Sequence, residues 1–276
     1  MKRRKNKRRI KWNVIFIFIM LIIFSRCIII SLFNIAKWII ESKKTNNQID
    51  DLQTITEVHT IEDSENTEII ENNVPKDDQY WNYIKMNLID VNFNELKQKN
   101  SDTVGWIQVK GTNINYPFVQ TTNNEYYLNH AFDKTINDAG WVFMDYRNNS
   151  QDLDRNSILY AHSRLDSTMF GTLKNILSSN WINNTDNYVI KTSTENENGL
   201  WQVFSIYKIP ETSDYLQTSF NNDKEFLDFA NMLINRSDYN FNTSINEKDK
   251  IITLSTCYND DSRVVLHAKL IKLEKK

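Results

Sequence analysis

Cysteine is scarce in this chain: 276 residues hold two, Cys27 inside an apolar N-terminal run and Cys257 near the C-terminus. If the apolar run is a membrane anchor, Cys257 stands outside the cytoplasm with no disulfide partner in its own chain. Unpaired thiols are uncommon in exported domains, so one kept there points to thiol chemistry. Residues 1–11 lack any acidic side chain and carry eight Lys or Arg; the remainder then has 25 basic against 35 acidic residues, a net charge of about −10. A basic tail suits nucleic acid or an anionic membrane surface. Residues 41–78 lack aromatics and hold eleven Asp or Glu against three Lys. Such a segment cannot bury enough apolar surface to offset its ordering entropy, and it is expected to form a flexible or partly helical stalk. No loop of regularly spaced Asp, Asn and Gly marks a calcium site, and no internal repeat is present.

What is present begins with the run from Val14 to Ala36, VIFIFIMLIIFSRCIIISLFNIA. At 1.5 Å rise per residue it is long enough to cross a hydrocarbon core of roughly 30 Å. Arg26 near its middle costs roughly 2.5–3.5 kcal/mol, which about a dozen Ile, Leu, Phe and Val offset at roughly 0.3–0.6 kcal/mol each. The run is too long for a signal peptide and no small-residue cleavage pattern follows it. The expected layout is a basic cytoplasmic tail (1–13), a transmembrane signal-anchor (14–40), the stalk (41–78) and an extracellular domain (79–276), with orientation set by the positive-inside rule. The membrane reading of the basic tail leaves no role for nucleic acid.

The texture changes at Tyr80. Asp77 and Asp78 are placed to cap a helix through Tyr80, Trp81, Ile84 and Leu88 to Leu96. Beyond Gly105, runs rich in Val, Ile, Tyr, Trp and Phe at 104–109, 114–119, 140–146, 157–161, 187–192, 200–209, 250–256 and 263–272 read as strands separated by Asn, Asp, Gly and Ser. Helical patterns interrupt them near 167–178 and 223–235. The expected fold is mainly β: a closed or nearly closed eight-stranded barrel with an N-terminal helix and two inserted or peripheral helices, preceded by the transmembrane helix. In the last strand Val264, Leu266, Ala268 and Leu270 share one parity and should face the core, while Arg263, Val265, His267 and Lys269 share a more polar face.

Cys257 ends the strand-like run Thr253-Leu254-Ser255-Thr256-Cys257, and Arg263 follows six residues later. A cysteine nucleophile needs thiolate character and a group that can protonate a leaving amine. Histidine suits that task. His162 ends a strand and opens into a polar turn, His130 follows Tyr126-Tyr127-Leu128-Asn129 and suits local packing, and His267 lies within a strand on its polar face, a surface or supporting position. Position favours His162 and leaves the others open. Arg263 can donate fixed hydrogen bonds to a developing oxyanion, or it can pair with Asp260 or Asp261 in a surface turn. Ser255 shares a strand face with Cys257, where it either packs or touches substrate.

These residues resemble the active-site end of class B sortases. The Thr253–Cys257 run followed by the arginine-led strand Arg263–Leu270 carries the likeness. Thr103-Val104-Gly105-Trp106-Ile107, Asn113-Ile114-Asn115-Tyr116-Pro117, Tyr126–His130, Phe143-Met144-Asp145-Tyr146-Arg147 and Tyr160-Ala161-His162 with Met169-Phe170-Gly171 extend it in the family's order over about residues 80–276. Ala161 stands where the family pattern has glycine, and the Cys257–Arg263 interval is shorter than is usual. The resemblance implies a sortase-type barrel, a membrane-anchored cysteine transpeptidase of Gram-positive bacteria, and Cys257, His162 and Arg263 as nucleophile, general acid/base and oxyanion stabiliser. It implies no metal and no cofactor. The implied partners are exported proteins bearing a C-terminal sorting signal and an amine acceptor such as a peptidoglycan precursor or a pilin lysine. A hydrolytic cysteine protease and a non-catalytic membrane-tethered binding module are the alternatives.

Overall fold

The computed structural model describes residues 12–70, 75, 78–259 and 262–276, with 257–259 as backbone. Residues 1–11 of the basic tail, and Asp77, Asp260 and Asp261, lie outside the described residues. The chain divides into two units, one ending at Lys44 and one running Thr45–Lys276. Helix α1 (Trp12–Ile55) begins in the first and ends in the second. Its N-terminal stretch exposes nearly every large apolar side chain and is long and apolar enough to cross a membrane. Ser25 is accommodated there by donating its hydroxyl to the Leu21 carbonyl at 2.7 Å, one turn back.

The second unit is built around eight strands: β4 (Thr103–Val109), β5 (Asn115–Val119), β6 (Phe143–Met144), β7 (Asn156–His162), β8 (Val189–Ser193), β9 (Glu197–Pro210), β10 (Ile251–Asn259) and β11 (Ser262–Lys275). They are bonded in the order β10-β7-β6-β5-β4-β8-β9-β11, and β11 pairs back onto β10, closing the barrel. The β5–β6 and β7–β10 pairs are parallel and the rest antiparallel. Trp106, Trp201, Leu254 and Leu266 fill the interior. Closure leaves no edge to template aggregation among these strands.

The expected eight strands are therefore all present, and the differences lie between them. The single helix expected from Tyr80 to Leu96 is instead α2 (Tyr80–Ile84), strand β3 (Leu88–Val91) and α3 (Asn94–Lys99). Leu88-Ile89-Asp90-Val91 finds an extended partner in β1 (Val58–Ile61), so pairing overrides the helical spacing. Asp78 does accept from the Tyr80 N–H at 2.8 Å. Near 167–178 a short 3-10 helix (Leu173–Leu177) precedes α4 (Ser179–Ile182), and the pattern at 223–235 is α5 (Asp223–Arg236). Asn222 caps α5 by accepting from the Glu225 N–H at 2.9 Å. Phe226, Phe229, Ala230 and Leu233 form its buried stripe.

The segment expected to be a stalk carries more structure than its composition suggests. Ile49 and Leu52 of α1 are in the core, β1 pairs with β3, and β2 (Thr67–Ile69) pairs with β11. A few apolar residues at the right spacing suffice because the barrel supplies the surface they cover. The second face of β11 departs too. Val264, Leu266, Ala268 and Leu270 face the core as expected. The polar parity is not solvated: Val265 packs with Phe204, Tyr207, Phe226 and Leu233 beneath α5, and His267 and Lys269 are buried with it. Truncating Leu52 to alanine should lower unfolding free energy by about 2–5 kcal/mol, as for any core leucine. Urea denaturation checks this; a loss within about 0.5 kcal/mol would return the segment to the status of a stalk.

Candidate active site

Strand β10 lies between β7 and β11. In register, Cys257 is opposite His162 in the parallel pair and opposite Arg263 in the antiparallel pair. Neighbouring strands run about 4.7–4.9 Å apart, so the three backbones stand side by side at one end of the barrel. The chain separations of 95 and six residues vanish there. A bulge at Tyr258 follows, where Cys257 pairs with Arg263 but Asn259 pairs with Ser262. Bulges commonly re-aim a strand next to a functional site.

Over this end opens a cleft of about 490 Å³, lined among others by Leu128, His162, Glu211, Tyr215, Ser255 and Arg263. His162 is held by its Nε2, 2.7 Å from the Leu128 carbonyl. A carbonyl only accepts, so Nε2 carries a proton and Nδ1 is the nitrogen that can take up or release a second one. Gly140 backs the ring: its φ is +61°, and a Cβ there would lie 3.1 Å from His162 Cδ2 and 2.5 Å from the Tyr127 carbonyl. Any side chain at 140 would push on the histidine.

Arg263 donates through Nη2 to Glu211 Oε1 at 2.7 Å and through Nη1 to the Ser262 carbonyl at 3.2 Å. Its side chain is 16% exposed, while that of Glu211 is 65% exposed. Asp260 and Asp261, the partners considered from sequence, are outside the described residues. Ser255 lines the cleft, but its hydroxyl is engaged with Tyr215 OH at 2.9 Å. His130 pairs locally, with Nδ1 2.8 Å from the Tyr126 carbonyl and its ring stacked on Tyr126 at 4.0 Å.

Of the two positions expected for His267, surface or supporting, the structure excludes the surface one. His267 is fully buried, its Nε2 2.7 Å from Tyr207 OH and its Nδ1 2.9 Å from Thr253 Oγ1. Burial, with a smaller push from the Arg236 charge, lowers its pKa to about 3. It is a neutral core histidine joining β9, β10 and β11.

The Asp145 carboxylate braces the site from behind. It accepts from Tyr160 OH at 2.8 Å, from Asn124 at 3.0 Å and from both arms of Arg147 at 2.9 and 2.8 Å. Burial alone would raise its pKa, but the Arg147 bonds prevail and hold it below the usual carboxylate value. Arg147 also donates to the Leu216 carbonyl at 2.9 Å, tying the cleft's 211–217 wall to β7. Glu211, Tyr215 and Gly140 carried no signal in the sequence, since each sits in a connection whose partner is distant in the chain.

The Sortase domain family matches residues 107–271. The chain is 36% identical over 185 residues to sortase B of Staphylococcus aureus (strain NCTC 8325 / PS 47), covering 66% of this chain and 75% of that protein. It is similar in structure to Bacillus anthracis sortase B in complex with AAEK1, with a TM-score of 0.68 and 31% identity over 85% of this chain and 99% of that one. A Staphylococcus aureus sortase B–substrate complex has a TM-score of 0.61 and 36% identity over 65% of this chain and 84% of that one.

The buried His267 has a pH consequence. Its folded pKa lies below the unfolded value near 6.5. Above pH 6.5 both states are neutral and nothing is lost; as pH falls from there toward about 3, the unfolded chain takes up a proton that the folded one refuses. Stability should fall with acidification by up to about 1.4 kcal/mol per pH unit more steeply in the native protein than in His267→Gln. Urea titrations of both between pH 7 and 4 read that slope difference; parallel slopes would refute a buried neutral His267.

Proposed function

Because the chain belongs to the sortase family, on its class B branch, and is a cysteine transpeptidase of that type, we propose that Cys257, His162 and Arg263 carry its reaction. The observation that supports this assignment is the strand register, in which the three backbones stand opposite one another on adjacent strands beside the cleft. The Cys257 thiolate attacks the carbonyl carbon of a threonine in the sorting signal. A carbon–sulfur bond forms, the carbonyl electrons move to oxygen, and the resulting oxyanion is met by the Arg263 guanidinium and backbone N–H groups. Collapse expels the downstream amine, which takes its proton from the His162 imidazolium and leaves a thioester. An incoming amine loses a proton to His162, attacks the thioester and regenerates the thiolate. The acyl group is thereby moved from one amine to another with no external energy source, provided water is poorly placed.

The substrate is an exported protein with a C-terminal sorting signal, and the acceptor is an amine of a peptidoglycan precursor or a pilin lysine. The basic residues at 1–11 support an N-terminus in the cytoplasm, with α1 as a single-pass anchor and the barrel outside. Ser255 lines the cleft and is bonded to Tyr215, and its hydroxyl keeps capacity for a further hydrogen bond to substrate. Glu211 holds the guanidinium fork at the wall of the cleft.

The full chain, assayed in detergent with a fluorogenic peptide library carrying threonine at the scissile position, should give ligated product when triglycine is added. Cys257→Ala should abolish cleavage and transfer, and His162→Ala should lose most activity while keeping its thermal transition. Transpeptidation by Cys257→Ala would sink the assignment, and release of a free carboxylate alone would make the protein a hydrolase.

Arg263→Lys should cost on the order of 100-fold in kcat, because an ammonium cannot reproduce the forked donors. Glu211→Ala should cost only a few-fold in kcat/KM, since an exposed ion pair is worth at most about 1 kcal/mol. Equal losses in the two variants would show that Glu211 does more than orient the arginine.

A further inference from the structure

A second cavity, of about 570 Å³, opens between the residues that follow α2 and the paired strands β4 and β8. It shares no lining residue with the active-site cleft. In the ring order β4 is three strands from β7 and β8 two from β11, so the cavity lies on the far side of the barrel from the site strands. Lys85, Lys110 and Lys191 line it, and no carboxylate does. Among the described residues none of these three ammonium groups has a carboxylate partner, whereas most other lysines of the domain do, among them Lys97, Lys99, Lys134, Lys250, Lys272 and Lys275.

The three lysines have no local counter-charge on the cavity wall. Lys191 is half-buried, and burial together with the charges of Lys110 and Lys272 lowers its pKa. Lys85 and Lys110 are exposed, and the charges of Lys110 and Lys191 repel one another, in a protein whose residues beyond the N-terminal tail carry a net charge of about −10. A concave surface lined by one sign of charge raises the local concentration of anions. Asn87, Gln108 and Thr112 add neutral polar groups to the wall.

We propose that this cavity is a second ligand site that binds a diphosphate group. The charge count selects that chemistry. A single carboxylate would leave two of three positive charges uncompensated, whereas one phosphate monoester already carries about −1.5 to −2 at neutral pH and a diphosphate carries more. Lysine binds phosphate as a mobile point charge without the fixed fork of arginine, so three long side chains can close on a compact polyanion. The diphosphate comes either free in solution or on a lipid carrier, since the chain carries a helix long and apolar enough to cross a membrane.

The test uses the full chain in phosphatidylcholine nanodiscs at about 0.15 M salt, where weak surface attraction is screened. Inorganic pyrophosphate is titrated by calorimetry in one arm, and farnesyl diphosphate is incorporated into the nanodisc in the other. Saturable binding in either arm is expected, weakened at least tenfold by Lys85→Gln/Lys110→Gln and unchanged by Lys224→Gln on α5. Binding by pyrophosphate supports a free ligand; binding by farnesyl diphosphate alone supports a lipid-borne one. Absence of binding in both arms, equal binding by the double variant, or equal binding of acetate would overturn the proposal. Because Cys257→Ala should bind as the native chain does, the outcome is independent of the transpeptidase assignment.

Discussion

Strand β10 is bonded in parallel to β7 on one side and in antiparallel to β11 on the other, and this double pairing closes the barrel. Everything at the active-site end depends on its register. A slip of one residue would exchange the two faces of β10, turning Thr253, Ser255 and Cys257 together to the opposite side. Two of these side chains are bonded on the face they share, Thr253 to His267 and Ser255 to Tyr215. Such a slip would therefore strand buried polar groups as well as misplace the thiol, at a cost of about 1–3 kcal/mol for each group left unsatisfied. The polar atoms beneath the cleft act as register pins for the strand that carries the cysteine.

A parallel pair needs a long connection, and the chain uses it. Between β7 and β10 lie β8, β9 and α5, so one crossover supplies two barrel strands, the 211–217 wall of the cleft and the helix that covers the outer face of β11. The same crossover explains the two clusters of buried apolar residues. One fills the barrel; the other, with Phe204, Tyr207, Phe226 and Val265, seals α5 against it. Arg236 near the end of α5 grips Asp214 with both nitrogens at 2.9 and 2.7 Å, which fixes the wall to the helix.

Local pattern was enough to find the barrel strands, because most of them alternate or run apolar for five residues or more and are bounded by turn formers. β6 was the exception: seven residues read as strand and two pair, since Gly140 and Asp145 are drawn into turns and side-chain bonds instead. The polar face of β11 was legible as a pattern but not in meaning. Its partner, α5, lies some thirty residues upstream and covers it only in three dimensions. Strand β3 and the ordered part of 45–70 were illegible for the same reason: each is a weak local former that becomes stable by docking on the barrel. Among site residues, Cys257, His162 and Arg263 sit on strand ends with recognisable neighbours, while Glu211, Tyr215 and Gly140 matter through what they touch.

The short interval between Cys257 and Arg263 bears on this last point. Six residues would be too few for a loop that must bring an arginine back over a site from a distance. In an antiparallel hairpin the constraint is different, because opposed residues stay within about 5.5 Å of each other at the Cα atoms however long the turn is. Register, not loop length, therefore holds Arg263 beside Cys257. The guanidinium's direction is a separate matter from its place on the strand: Glu211, on the wall of the cleft, receives Nη2 at 2.7 Å. The register of β10 and β11 thus sets where Arg263 stands, and the wall supplied by the crossover sets where its charge points.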